Sequence, residues 1–202
     1  MTLWSGDKPL VLASRSPARQ QLLRNAGIDF QAAPADLDER AIQDQAGVTK
    51  PGLVAVLLAN SKAAHVAKQF PGHLVLGADQ TLALDDSLFA KPAGRAEAGQ
   101  QLKRLSGRTH ELHSALALVR DGDLVWETVT SARLTMRTLS DAAIANYLDA
   151  AGDKVTTSVG AYQIEGLGIH LFERIDGDHF TILGLPLLPL LDFLRRQGLL
   201  AV

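Results

Sequence analysis

The chain has 202 residues and a formal charge of −2, from 20 Lys and Arg against 22 Asp and Glu, with 47% hydrophobic and 21% charged residues. That length and balance specify one domain, or two small lobes around a shared cleft, and offer no basic field to hold a nucleic-acid polymer. The absence of cysteine removes disulfides, thiolate catalysis, zinc ribbons and iron–sulfur clusters. No apolar run reaches about 18 residues, and residues 1–8 lack the basic-then-apolar order of a signal peptide, so a soluble, cytoplasmic protein with no membrane partner is expected.

Leu10-Val11-Leu12-Ala13 is a continuous apolar run that suits a strand buried on both faces. Ser16-Pro17 opens a helix, serine as cap and proline in the first turn; the helix carries Leu22 and Leu23 and stops at Gly27. A second strand is expected over 28–33, and the polar, acidic residues 34–50 are expected to form a mobile loop. Pro51 opens a helix over about 52–69, ended by Phe70-Pro71-Gly72. A strand over 74–79 then delivers Asp79 at its end, followed by a turn at Asp85-Asp86-Ser87, an extended Lys91-Pro92 and a helix over 96–105. Strands over 110–120 and 124–137 join at Asp121-Gly122-Asp123, a strong hairpin signal. A helix covers 140–151, a second hairpin is expected from 168–175 and 180–183 through Asp176-Gly177-Asp178, and a leucine-rich helix closes the chain over 187–197. Helices alternating with strands, and two hairpins, imply an α/β fold with a mixed sheet.

Several chemistries have no local support. There is no Gly-x-x-x-x-Gly-Lys-Ser/Thr phosphate loop, no Gly-x-Ser-x-Gly elbow, and only a fragment of a dinucleotide fingerprint at Gly166-Leu167-Gly168. His110 and His113 fall on opposite sides of a strand, and no His-Glu-x-x-His occurs, so zinc is not expected. What remains handles anions. Ser14, Arg15, Ser16 and Arg19 stand where a buried strand meets a helix N-terminus, with free amides and an arginine fork suited to phosphate; the same residues also read as a well-capped helix with a solvated arginine. Lys62 shares a helix face with Ala55, Leu58, Ala59 and Val66, and a charge on an apolar stripe must snorkel to water or meet an anion. Asp79 lies where ligand sites of α/β sheets collect, although a turn-forming aspartate would look the same. Lys91 alone reads as a surface lysine, and Asp36, Asp38 and Glu39 alone as a solvated acidic patch. Together, carboxylates with Arg and Lys suit hard-metal phosphate chemistry, in which Mg²⁺ takes one or two carboxylates plus the substrate's own phosphates.

The blocks Leu12-Ala13-Ser14-Arg15-Ser16-Pro17-Ala18-Arg19, Asp38-Glu39, Ala59-Asn60-Ser61-Lys62-Ala63, Gly77-Ala78-Asp79, Lys91-Pro92, Leu105-Ser106-Gly107 with His110, Gly160-Ala161-Tyr162 with Glu165-Gly166, Gly177-Asp178 and Gly184-Leu185-Pro186-Leu187 follow one another along nearly the whole chain. In this order they resemble the Maf family of septum-formation-like proteins, which act as nucleoside triphosphate pyrophosphatases. The resemblance implies one domain over 1–202, an elongated mixed-sheet fold with a central cleft like that of the inosine-triphosphate pyrophosphatases, and cleavage between the α- and β-phosphates. It implies Asp79 as the catalytic residue, Glu39 and Asp79 as ligands of a divalent cation (Mg²⁺, with Mn²⁺ as the alternative), and Ser14, Arg19, Lys62 and Lys91 as substrate-binding residues. Ala18, Gln80 and Glu165 fall on positions tied to base choice. The dTTP/UTP branch has arginine, threonine and glutamine there, and the 7-methyl-GTP branch tryptophan, glutamine and glutamate; this chain agrees with the second at Gln80 and Glu165 and with neither at Ala18. A lysine frequent before the Gly-Ala-Tyr element is replaced by Ser158, with Lys154 nearby. The resemblance is compatible with a homodimer, and it leaves a second reading, a nucleotide-sensing regulator of septum formation with incidental turnover.

Overall fold

Side chains alternate between the two faces of a strand, and in this chain that alternation sorts leucines from small residues. The computed structural model describes residues 3–202, so Met1 and Thr2, part of the N-terminal reading above, lie outside the described residues. In chain order the elements are β1 (Leu10–Leu12), α1 (Pro17–Asn25), β2 (Phe30–Ala32), α2 (Glu39–Ala46), α3 (Pro51–Ala67), β3 (Val75–Leu84), β4 (Ser87–Phe89), α4 (Arg95–Leu105), β5 (Thr109–Arg120), β6 (Asp123–Met136), α5 (Asp141–Ala151), β7 (Phe172–Asp176), α6 (His179–Ile182) and α7 (Leu187–Arg196). Three short 3₁₀ stretches lie between α5 and β7. The strands form one mixed sheet in the order β2-β1-β3-β5-β6-β7, with β4 paired to β3. No helix of the described residues is long and apolar enough to cross a membrane.

The chain divides into two compact units, one of Met1–Gln80, His113–Thr130 and Asp178–Val202, the other of Thr81–Leu112 and Ser131–Gly177. In the first, β1 pairs in parallel with β2 (Leu10↔Phe30) and with β3 (Val11↔Val75). One sheet face there presents Leu10, Leu12, Leu74, Leu76, Leu116 and Leu118 to leucines of α1 and α7. The other presents Val11, Val75, Ala115 and Ala117 to Ala55, Ala59 and Ala63 of α3. Small side chains on this second face let the helix lie close to the strand. At Gly77 the approach is closest, since a Cβ would fall 2.0 Å from the Ala59 carbonyl oxygen and 2.8 Å from the Ala63 nitrogen. Only glycine admits α3 at this depth.

Three expectations need correction. Residues 34–50 are not simply a loop: α2 forms there, with Asp38 accepting a hydrogen bond from the Ala41 amide and Gly47 left-handed at φ 63°. None of its residues is buried, so it carries no apolar periodicity to announce it. The second hairpin does not exist. Residues 167–171 are 3₁₀, β7 pairs antiparallel with β6 (Leu134↔Ile175), and Asp178 caps the short α6 through the amides of Phe180 and Thr181. Finally, Asp79 does not end its strand, because β3 runs on to Leu84. The later residues of β3 continue the ladder by pairing antiparallel with β4, Leu82↔Phe89 to Leu84↔Ser87.

The second unit has a buried aromatic cluster. His110 is 1% exposed, its Nε2 shares a 2.7 Å hydrogen bond with the Tyr162 hydroxyl, and Phe172 stands edge-on to Tyr162. Its Nδ1 is buried without a partner. Burial lowers the His110 pKa from 6.5 to about 4, so the folded protein holds it neutral. The unfolded chain takes up a proton between those two values and the folded chain does not; the stabilisation is complete above about pH 6.5 and is lost as pH falls toward 4. We expect denaturant titrations to show wild type losing about 3 kcal/mol from this residue between pH 7 and 4. His110→Gln, which does not titrate, should lack that component. A wild-type-to-variant difference that does not change with pH would refute the assignment.

Candidate functional site

On β3, Val75, Gly77 and Asp79 share the face toward α3 by strand alternation, while Ala78 and Gln80 share the face toward α1 and α7. Asp79 therefore meets α3, where Lys62 follows Ala55, Leu58 and Ala59 on the buried side. Lys62 Nζ donates to Asp79 Oδ1 at 2.5 Å and pairs with Glu39 Oε1 at 2.8 Å. The side chains of Lys62 and Asp79 are 13% and 9% exposed, that of Glu39 50%. Of the two fates open to a lysine on an apolar stripe, this one meets anions. Glu39, the first residue of α2, brings in the second carboxylate.

Each of these two nearly buried charges offsets part of the other's desolvation cost. Burial pushes the Asp79 carboxyl above the usual carboxylate range; Lys62 and Arg19 pull it back, and Glu39 pushes the same way as burial. A carboxylate raised toward neutrality is a better proton acceptor at physiological pH than an exposed one.

Arg19 lies on the opposite sheet face. Its Nε donates to the Gly184 carbonyl at 2.8 Å, and its Nη1 donates to the Ala78 carbonyl at 2.7 Å and to Ser14 Oγ at 3.3 Å. Burial lowers the guanidinium pKa from its ordinary value, against the raising fields of Asp79 and Glu39; it stays charged, as arginine does in proteins. Ser14 Oγ also accepts from the Ser16 amide. With its oxygen already accepting twice, the Ser14 hydroxyl has its proton left to donate, which suits a phosphate oxygen. Ser16 caps α1 through the Arg19 amide, whereas Arg15 is solvated and 3.8 Å from Asp36. The capped-helix reading thus holds for Ser16 and Arg15 but not for the half-buried Arg19, whose Nε and Nη1 are bonded within the protein.

Ala18 is half-buried in the first turn of α1. Gln80 Nε2 donates to Ser114 Oγ (2.9 Å) and to the carbonyls of Thr181 (3.1 Å) and Ile182 (3.0 Å). Its nitrogen is committed to the protein, so its oxygen is the group it can offer elsewhere. The structure thus brings Ser14, Arg19, Glu39, Lys62 and Asp79 together within the first unit, with Ala18 and Gln80 on the same α1 and β3. Lys91 and Glu165 belong to the second unit, where both are exposed, Glu165 in the turn that precedes Gly166. Residue-level reasoning missed the supports of this site. Ser114 is fully buried and donates to the Thr181 carbonyl, and Asp178 holds both the Thr181 amide and its hydroxyl. The one available signal was that Gly177-Asp178 and Gly184 stand among the family-like blocks.

No group of three His, Cys, Asp or Glu able to hold a metal occurs among the described residues. Glu39 and Asp79 are a pair of hard oxygen donors on one ammonium, a set that fits Mg²⁺ or Mn²⁺ when the remaining ligands come from phosphates and water.

The family model described as "Maf-like protein" matches residues 9–197. A protein of Rhodopseudomonas palustris named nucleoside triphosphate pyrophosphatase is 64% identical over 202 residues, covering 100% of both chains. One of Rhizobium etli named 7-methyl-GTP pyrophosphatase is 53% identical over 192 residues, 94% of this chain and 96% of that one. The solved structure of a HAM1 protein from Coxiella burnetii aligns at a TM-score of 0.43 with 22% identity, over 63% of this chain and 72% of that one, a likeness too low to carry any argument.

Proposed function

Because the chain belongs to the Maf family, we propose that it is a nucleoside triphosphate pyrophosphatase, cleaving the α–β anhydride to give a nucleoside monophosphate and pyrophosphate. The observation that carries this reading is the Glu39–Lys62–Asp79 cluster, a raised carboxylate beside a cation that is itself shared with a second carboxylate.

Water attacks the α-phosphorus in line, and negative charge grows on the bridging oxygen as pyrophosphate leaves. Asp79 takes the proton from that water at Oδ2, since Oδ1 is held by Lys62. Lys62 and Ser14 stabilise phosphate charge, and Lys91 adds a further cation in the family's pattern. Glu39 and Asp79 would hold the divalent cation, which when bound neutralises the triphosphate. Residues 1–202 act in this reading as one domain, cytoplasmic and compatible with a homodimer. The activity would limit incorporation of non-standard nucleotides and so bear on arrest of cell division.

Guanine-type triphosphates, 7-methylated or not, are expected to outperform dTTP and UTP. Glu165 only accepts hydrogen bonds as a carboxylate, and guanine N1–H and N2–H₂ form an adjacent donor pair that it can meet with two oxygens. Uracil and thymine offer one N3–H flanked by carbonyls that would repel the second oxygen. Ala18 cannot stack on a cationic ring as tryptophan would, which weakens selection for the methylated base in particular. The test is pyrophosphate release, as kcat/KM, from GTP, 7-methyl-GTP, dTTP and UTP by wild type and by Glu165→Gln. Preference for dTTP or UTP in wild type, or an unchanged ranking in the variant, contradicts this account of base choice. Tight binding of triphosphates without pyrophosphate release would contradict the enzymatic reading and favour the sensor.

A further inference from the structure

Three of the donors of Arg19 face the protein itself. Nε reaches the Gly184 carbonyl, and Nη1 reaches both the Ala78 carbonyl and Ser14 Oγ. Three of the five N–H donors of a guanidinium are thereby committed to fixed acceptors on three separate segments. One of those acceptors is the backbone carbonyl immediately before Asp79. Gly184 is shaped to allow this: it is left-handed at φ 81°, and a Cβ there would sit 3.2 Å from Arg19 Nη2 and 3.3 Å from Nε. Nε and Nη1 are thus committed to the protein, and the two N–H groups of Nη2 are the donors of Arg19 that have no acceptor among the described residues.

We propose that Arg19 is a positioning residue for Asp79: by tying the Ala78 carbonyl to Ser14 and to the Gly184 turn, it fixes the height at which β3 presents the Asp79 carboxylate to Lys62. It acts through Asp79 rather than as a ligand of the triphosphate. The inference rests on the reading of Asp79 as proton acceptor given above.

The two roles separate in kinetics. A phosphate ligand contributes to binding, so its loss raises Kd; a positioning residue contributes only when the carboxylate must be in place, so its loss lowers kcat. Displacements of about 1 Å in a reacting group cost on the order of 10²-fold in rate. Arg19→Lys keeps the positive charge but not the fork, and a single ammonium cannot span the same acceptors.

The experiment measures kcat with GTP and, by calorimetry, Kd for its non-hydrolysable α,β-methylene analogue, in wild type, Arg19→Lys, Asp79→Asn and the double variant. Thermal melts establish that each is folded, and Gly184→Ala, which crowds the guanidinium from the other side, serves if Arg19→Lys does not fold. The expected result is a fall in kcat of about 10- to 100-fold in Arg19→Lys with Kd within about threefold of wild type, and a double variant no slower than Asp79→Asn alone. A tenfold or greater weakening of Kd with kcat retained, or losses that multiply in the double variant, would overturn it. Wild-type turnover in Asp79→Asn would remove the catalytic reading and the positioning role with it, a failure recognisable from that single variant.

Discussion

Asp79→Asn is expected to lower kcat by at least about 10²-fold while leaving triphosphate affinity unchanged or slightly improved. Asparagine is nearly isosteric and keeps an oxygen for Lys62 Nζ, so the packing of α3 on β3 at Gly77 need not change. It cannot accept a proton, and it is a weaker ligand for a hard cation. Affinity is retained because Lys62 and Ser14 remain, and Lys62, no longer neutralised by Asp79, is left with only Glu39 as a paired carboxylate. Stability should hold too, because the change removes a carboxylate that burial already disfavours in its charged form. Steady-state kinetics beside a thermal melt check all three. Turnover within a few-fold of wild type would take Asp79 out of the chemistry.

Lys62→Met should have the next largest effect. Methionine fits the apolar stripe of α3 by size, but Asp79 then loses its nearest cation and keeps only Arg19 to oppose burial. Its carboxyl pKa moves further up, so more of it is protonated at neutral pH and unable to act as a base. We expect kcat/KM to fall at least about 10²-fold and the acid limb of the pH–rate profile to shift to higher pH. The stability consequence has a definite sign. A carboxyl whose folded pKa lies above its unfolded value destabilises the fold when ionised and not when protonated, so the melting deficit of Lys62→Met should shrink as pH is lowered. A variant less stable at every pH with unchanged kinetics would show Lys62 to be structural only.

Much of this site was legible one residue at a time. Ser16-Pro17 and Gly27 bracket α1 by local capping chemistry, and Asp121-Gly122 turns β5 into β6 with Asp121 at φ 51°. Lys62 stood out because charge on an apolar helix face must snorkel to water or meet an anion, and the anion proved to be the aspartate that strand alternation turns toward the same helix. Elements without burial gave no such signal: α2 buries none of its residues and is held by its caps, Asp38 and Gly47. Nor did the second proposed hairpin fail for want of strand-like residues. Asp178 satisfies two amides of α6, and that local competition outweighs extended pairing. The least legible feature was Arg19, since its backbone acceptors lie 59 and 165 residues away along the chain. Nothing local to Arg19 distinguishes an arginine that holds backbone from one that holds phosphate.

The claim that joins these parts is attack of water on the α-phosphorus at the Asp79 cluster. Hydrolysis of GTP in H₂¹⁸O, with products separated and weighed by mass spectrometry, tests it most directly. The label should appear in GMP, one ¹⁸O per turnover, with unlabelled pyrophosphate and no GDP, and Asp79→Asn should slow formation of the labelled product by at least about 10²-fold. Label in pyrophosphate, or release of orthophosphate with GDP, would place the attack on another phosphorus and contradict the account.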